Sequence, residues 1–446
     1  MQALDGTILN TALPSIAADL GYSPLAMQSV IVSYTITLAL FIPLSGWLSD
    51  KFGTRRVFSI AVALFVAGSL CCAFAQSLPQ LILSRILQGM GGSMMVPVAR
   101  LTVLYVYPKN KLLSVMNFIA IPGLAGTVIG PTLGGWLVEL STWHMIFLIN
   151  IPIGLAGIWA AIKIMPQIRR GQGKFDLTGF ILFSGSLSLL TFCLEASGSG
   201  TIPTRLIVIL VLLSLLLISL YIIHARRIHD PLINLSLFRI RTLRVGLLGN
   251  FATRLGIGGF PLLLPLMLQV GFGYPPSTAG MMLIPMALAN VISKPLVVPI
   301  IRRFGHKNTL VANTLMLAIL ISMFSLLTEA TPLIYIIPLL IAYGMVSSIQ
   351  FTTMNTISIA DLDEHNSSEG NSVVAVSQQL SISFGISLAG LLMLTFNNLS
   401  SAGENNDVVF QYSFLTLGIV TALSTLVFNQ LKATDGEKLS GRGGYD

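Results

Sequence analysis

Three charged side chains, Asp5, Arg85 and Arg254, fall inside long apolar stretches of the sequence. Each costs about 2.5–3.5 kcal/mol or more at the centre of a bilayer unless it is paired. A carboxylate beside a guanidinium keeps its charge, and one that loses that partner takes up a proton more readily. Asp5 and Arg85 therefore read in two ways. Asp5 is a proton-coupling group with Arg85 as its gating or structural partner, or the two are a permanent structural ion pair. Their depths are roughly compatible, with Arg85 the shallower. Asn250 lies four residues before Arg254, on the same helical face. Arg254 reads as a cation facing a cavity, where it repels cations or holds anions. It reads equally as a partner for Asp5 or as a structural residue. Lys294 lies nearer an end, where it can snorkel. Glu139 and Glu195 fall near span ends, where carboxylates are cheap, and the five histidines lie in or beside loops.

Two patterns add conformational chemistry. One is Gly46-x-Leu48-x-Asp50-Lys51-x-Gly53-x-Arg55-Arg56, in which glycines let helix ends and a turn approach closely. Its charges suit a latch that holds one conformation and releases it in another. The other is Gly126, Gly130 and Gly134, spaced to form one bare helical stripe, with Pro131 and Gly135 beside it. A neighbouring helix can pack closely there, and Pro131 removes a backbone hydrogen bond and kinks its helix.

The elements that must position these residues follow from composition. The chain has 446 residues, 54% hydrophobic and 9% charged, where soluble chains carry about 25% charged residues. Lipid is therefore the solvent of most of the chain. The basic residues are scattered rather than striped, which argues against nucleic acid as a partner. Cys71, Cys72 and Cys193 have no zinc or disulfide spacing. No Gly-x-x-x-x-Gly-Lys loop, nucleophile elbow or metal-ligand pair is present, so no cofactor or enzyme chemistry is expected.

Apolar runs long enough to cross a bilayer fall near 29–48, 57–75, 80–98, 112–136, 143–164, 176–196, 205–223, 245–269, 279–301, 309–328, 332–354, 371–395 and 408–428. A partial run covers 1–17. Pro14 follows Met1 so closely that this first span reads as about half a membrane thick, from a mis-assigned start rather than a natural stub. If the segment before Asp50 ends in the cytoplasm, all of the 25 basic residues fall at the inner face except Arg205, Arg85, Arg254 and Lys294. The tail 432–446 is then cytoplasmic.

A repeat connects the two ends of the chain. At an offset of 252 residues Pro43 aligns with Pro295, Leu44 with Leu296, Lys51 with Arg303, Phe52-Gly53 with Phe304-Gly305 and Arg55 with Lys307. Asp50 aligns with Arg302, so the acidic member of the latch is lost in the second copy. The expected fold is all-α and polytopic. It has an N-terminal six-helix bundle over 1–164, two further spans with linkers over 165–243, a C-terminal six-helix bundle over 244–431, and the tail.

The first loop resembles the loop between the second and third helices of the major facilitator superfamily. Leu81-x-x-x-Arg85-x-x-Gln88-Gly89-x-Gly91-Gly92 is similar to its fourth-helix motif, and Gly126-x-x-x-Gly130-Pro131-x-x-Gly134-Gly135 to the fifth-helix motif of its antiporters. Leu4-Asp5-x-Thr7-Ile8-x-Asn10-x-Ala12-Leu13-Pro14, Trp143-His144-x-Ile146-Phe147-x-Ile149-Asn150-x-Pro152-x-Gly154 and Phe175-Asp176-x-x-Gly179 resemble marks of its fourteen-span drug:proton antiporter branch. The resemblance implies export of small hydrophobic compounds across the bacterial inner membrane, driven by the proton gradient and acting through alternating access. The intramembrane charges leave Asp5 as the proton-coupling candidate and Arg85, Gln88, Asn250 and Arg254 as the cavity or substrate candidates. The glycine stripe becomes a seam that limits ion leak. The expected partners are small-molecule substrates, protons and lipid, with a monomer as the working unit. Competing readings are an exporter of one endogenous metabolite, a membrane enzyme or receptor, and a non-transporting remnant.

Overall fold

Apolar runs in lipid satisfy their backbone polar groups internally, and a helix does this within one segment. In the computed structural model every regular element among the described residues is helical. These residues are 1–106, 126, 129–169, 175–199, 203–228, 231–233, 235–362, 367–399 and 406–436. Most of the expected span 112–136, the sequence positions Arg170 and 363–366, and the tail beyond 436 lie outside them. Ten described helices are long and apolar enough to cross a membrane, and 177–190 and 276–292 are shorter apolar helices.

The chain divides into two compact units. The first holds Met1–Leu177 with Tyr274–Met281. It contains α1 (Gln2–Leu20), α2 (Gln28–Phe52), α3 (Thr54–Ala73), α4 (Leu78–Val106), α5 (residues 129–140), α6 (Met145–Leu148) and α7 (Asn150–Ile164). The half-length first span expected from Pro14 is not what forms. α1 continues through Pro14 to Leu20, a helix of 19 residues, or about 28 Å at 1.5 Å per residue. Gly21 ends it in the left-handed conformation, its amide bonded to the Ala17 carbonyl.

Two glycines let α3 and α4 approach closely. A Cβ on Gly68 would lie 2.5 Å from the Gln88 backbone, and one on Gly91 would lie 2.5 Å from the Ala61 carbonyl oxygen. Helices this close bring side chains at the same depth into direct reach. The buried residues Tyr34, Leu38, Val62, Phe65 and Val98 form the apolar core beneath.

The second unit holds Thr178–Gly273 and Met282–Asp446. Its helices are α8 (Leu177–Ser199), α9 (Thr204–Ala225), α10 (Arg241–Ile257), α11 (Phe260–Leu266), α12 (Pro276–Ile292, whose first residues belong to the first unit), α13 (Lys294–Met323), α14 (Leu333–Ile359), α15 (Ser367–Leu399), α16 (Asn406–Leu423) and α17 (Thr425–Phe428). The expected span 245–269 lies within one membrane-length stretch, Arg241–Gly271, made of α10, α11 and a π-turn over Met267–Gly271. α13 is two helices joined at Gly305. α8 and α9 are tied by reciprocal bonds, Ser186 Oγ to the Ser214 carbonyl at 2.9 Å and Ser214 Oγ to the Ser186 carbonyl at 2.8 Å. α9 otherwise presents Leu206, Leu212, Leu215 and Leu216 outward, as a lipid-facing helix does. Phe260 stacks on Tyr343 at 4.0 Å and meets Phe324 edge-on at 5.0 Å, forming an aromatic core.

Candidate functional site

α1 and α4 place Asp5 and Arg85 together, each only 1% exposed, with Arg85 Nη1 donating to Asp5 Oδ2 at 2.7 Å. The two side chains are therefore within direct reach, as their roughly compatible depths predict. One turn along α4, Gln88 Nε2 donates to Asp5 Oδ1 at 2.8 Å and to Ser69 Oγ at 2.7 Å. From the start of α7, Asn150 Nδ2 donates to the same Oδ1 at 2.9 Å. Arg85 also donates to Gln88 Oε1, and its guanidinium lies 4.0 Å from the Tyr34 ring centre. The carboxylate thus faces three donors from two helices, α4 and α7. Gln88 and Asn150 are fully buried, so Arg85, Gln88 and Asn150 form one closed network around the carboxylate.

Asn150 had no role assigned from sequence. The available signal was an asparagine inside an apolar run, which needs partners as a buried charge does. Its Oδ1 and the Tyr34 hydroxyl are buried without a hydrogen-bond partner. Asn150 thus has an unused acceptor behind the donor it gives Asp5.

The glycine stripe packs on α1. A Cβ on Gly126 would lie 3.1 Å from the Leu4 amide nitrogen, one on Gly130 2.0 Å from Thr7 Oγ1, and one on Gly134 2.5 Å from the Ile8 carbonyl oxygen. Thr11 Oγ1 donates to the Pro131 carbonyl at 3.2 Å, and Thr7 Oγ1 to the Gly126 carbonyl at 3.3 Å. Gly135 faces Pro276 and Ser277, and Gly280 faces Pro131. The seam therefore touches the helix that carries Asp5.

In the first loop, Gly53 has φ 91° and ψ 146°. Side chains other than glycine hardly enter this region. Gly305, its partner at the 252-residue offset, has φ 79° and ψ 165°. The Tyr105 hydroxyl donates to Asp50 Oδ1 at 3.1 Å. Arg55 is half-buried and Arg56 exposed. Gly46 has open space where its Cβ would stand, so the close approach expected there does not occur.

A strap that sequence reasoning missed covers this loop. The Thr54 amide donates to the Ile168 carbonyl at 3.1 Å, Thr54 Oγ1 to the Pro166 carbonyl at 2.8 Å, and Gln167 Nε2 to the Phe52 carbonyl at 2.8 Å. Gln167 occupies the space that a Cβ on Gly53 would need. Nothing in the spacing of residues 166–168 marks them for this.

In the second unit Arg254 is 9% exposed. Its Nε donates to Asn250 Oδ1 at 2.5 Å, and its guanidinium lies 4.5 Å from the Phe351 ring centre. Gln378 Nε2 donates to Asn355 Oδ1 at 2.7 Å, and Asn250 Nδ2 approaches the same oxygen at 3.5 Å. The Asp5 carboxylate is taken up by Arg85, Gln88 and Asn150.

The model of the Major Facilitator Superfamily matches residues 1–386 and 246–443. The chain belongs to that superfamily. It is 43% identical to the "Putative multidrug resistance protein MdtD" of Pectobacterium atrosepticum, over 97% of this chain and 93% of the relative. It is 44% identical to the protein of the same name from Escherichia coli O157:H7, over 96% and 91%. The fold is shared with solved transporter structures. A POT family transporter in complex with a thioalcohol-conjugated peptide has a TM-score of 0.69 at 17% identity, covering 96% of this chain and 92% of that one. A mutant of the nucleoside transporter NupG has a TM-score of 0.65 at 14% identity, covering 96% of each. The family is one of transporters, not enzymes, and this member is a multi-pass membrane protein.

Proposed function

We propose that the chain is a proton-coupled antiporter that exports small hydrophobic compounds across the bacterial inner membrane by alternating access. The names of its relatives support drug-like cargo. The proton step rests on one observation: Asp5 is buried among three donors with its charge matched by Arg85. A protonated carboxyl would need an acceptor for its own hydrogen, and none of these groups offers one in this arrangement. Proton uptake is therefore tied to rearrangement of the network. A flip of the Asn150 amide would turn its unused Oδ1 toward Asp5 and supply that acceptor. The seam on α1 then carries movement of α5 to the Asp5 helix. The proton gradient is the energy source, and no cofactor takes part.

The sorting of basic residues supports an inner position for the α2–α3 loop and the C-terminus. A monomer contains every group that this mechanism uses. The test is exchange in inverted membrane vesicles. Asp5→Asn should abolish substrate-driven proton release while the protein stays in the membrane at normal abundance. Unchanged exchange would remove Asp5 from the mechanism.

A further inference from the structure

Two arginines are buried among the described residues, and they are neutralised differently. Arg85 faces a carboxylate. Among the described residues Arg254 has no acidic partner, and its one hydrogen bond is from Nε to the neutral Asn250 amide. The nitrogens at the tip of its fork, Nη1 and Nη2, make no hydrogen bond to a described residue, yet the side chain is nine-tenths buried. A guanidinium fork matches the paired oxygens of a carboxylate or phosphate group.

The neighbours hold the fork and leave it unneutralised. Phe351 supports one face of the guanidinium from α14. Asn355, one turn further along α14, uses its oxygen to accept from Gln378 of α15 and from Asn250 of α10. Its Nδ2 is left as another donor without a described partner. Three helices thus build a cluster that is rich in donors and carries a single positive charge.

We propose that Arg254, with Asn355 beside it, binds the anionic head of an amphipathic cargo, a carboxylate or phosphate group on a small organic molecule. The proposal rests on the reading of the chain as an exporter and narrows its cargo. Apolar bulk alone does not satisfy the site, and a cationic compound is disfavoured there.

The experiment measures binding rather than transport, so that it does not depend on the proton step. The full chain is placed in nanodiscs of neutral phosphatidylcholine with no gradient and titrated calorimetrically with three probes of one shape: 1-naphthoate, 1-naphthamide and 1-naphthylmethylammonium. Naphthoate should bind at least ten-fold more tightly than the amide, with the cation weakest, and inorganic phosphate should compete with it. Arg254→Gln should erase the preference. Arg254→Lys should keep part of it, since charge remains while the fork is lost. Asn355→Asp guards against a misfolded Arg254 variant. It supplies the missing carboxylate from within, so it should abolish naphthoate binding and raise the melting temperature.

Equal affinity for the three probes, or a preference that survives Arg254→Gln, would overturn the proposal. A preference that vanishes when phosphatidylglycerol is added to the disc would assign the site to a lipid head group and overturn the cargo reading. Naphthoate binding through Arg254 in a chain that releases no protons would sink the antiport mechanism and leave this site standing.

Discussion

Replacing Asp5 by Asn keeps the shape of the side chain and removes its charge. The structure makes that exchange expensive. Asp5 faces Arg85 Nη1, Gln88 Nε2 and Asn150 Nδ2, all donors. An amide group there must aim its own NH2 at one of them. If the NH2 faces Arg85, the guanidinium is stranded. If it faces Gln88 and Asn150, both lose their acceptor. Removing one partner of a buried ion pair costs about 3–5 kcal/mol. Arg85→Gln should cost about as much, because it leaves the carboxylate charged with only two amides. Combining the two changes removes both charges, and a neutral, hydrogen-bonded set is often as stable as the pair it replaces. The double variant should therefore lie within about 2 kcal/mol of the parent chain, giving a coupling energy of several kcal/mol between neighbours in one network. The assay is unfolding of the full chain in mixed micelles, read by tryptophan fluorescence, for the parent, both single variants and the double. Additive losses would show that the two charges are stabilised separately and would refute the reasoning. The double variant also separates two roles. If it is stable yet exchanges no protons, Asp5 works as more than a structural ion.

Gly53→Ala and Gly305→Ala should each cost about 1–3 kcal/mol, the strain of an L-residue in that backbone region. Gly53→Ala should also displace the Gln167 side chain, which stands where its Cβ would go, and micellar unfolding that leaves both variants at parent stability would refute the strain. Asn150→Ala should destabilise by about 1.5–3 kcal/mol, the range for a hydrogen bond to a charged group; a neutral result would place Asn150 outside the network. Gly134→Ala should cost about 1–3 kcal/mol by overpacking, since its Cβ would meet the Ile8 backbone rather than a movable side chain. The same exchange at Gly46, where space is open, should stay within about 0.5 kcal/mol, which limited proteolysis of the two variants can compare.

The fold was legible because lipid imposes one rule, internal satisfaction of the backbone, and apolar runs declare it. Arg85 and Asp5 were legible for a related reason: a charge in an apolar run must find a partner, and these two offered complementary signs. Periodicity carries less about helix interruptions. Pro14 looked like an end and is not one, since proline is tolerated in membrane helices whose neighbours re-satisfy the freed backbone. The run 245–269 forms one membrane-length stretch, Arg241–Gly271, as expected, but its make-up from two helices and a π-turn was not visible. Asn150 was visible as a residue but not as a ligand of Asp5, because its role depends on how α7 packs against α3 and on where α1 lies. The strap at 166–168 was illegible. It works through backbone carbonyls, and every sequence has those.

The strap also deepens the repeat beyond what sequence alignment could carry. Gly53 and Gly305 share a rare backbone conformation at equivalent positions. Thr54 aligns with His306, and neither residue type nor charge is kept. Both are nonetheless buried, Thr54 under the segment that follows α7 and His306 beside Gly436, in the segment that follows α17. In each unit the loop is covered by the chain that leaves a later helix of the same unit. The second cover is held by other means, Arg241 to Asp435 and the Lys432 amide to Asp435 Oδ2 at 2.8 Å. Backbone geometry and burial have persisted where side-chain chemistry has not. The divergence from Asp50 to Arg302 follows the same logic. An acid is useful in the first copy, where Tyr105 meets it, while the exposed Arg302 needs no such partner. What the two copies share is therefore the glycine turn and its cover, and any movement common to both units should be sought at those turns rather than at the charges around them.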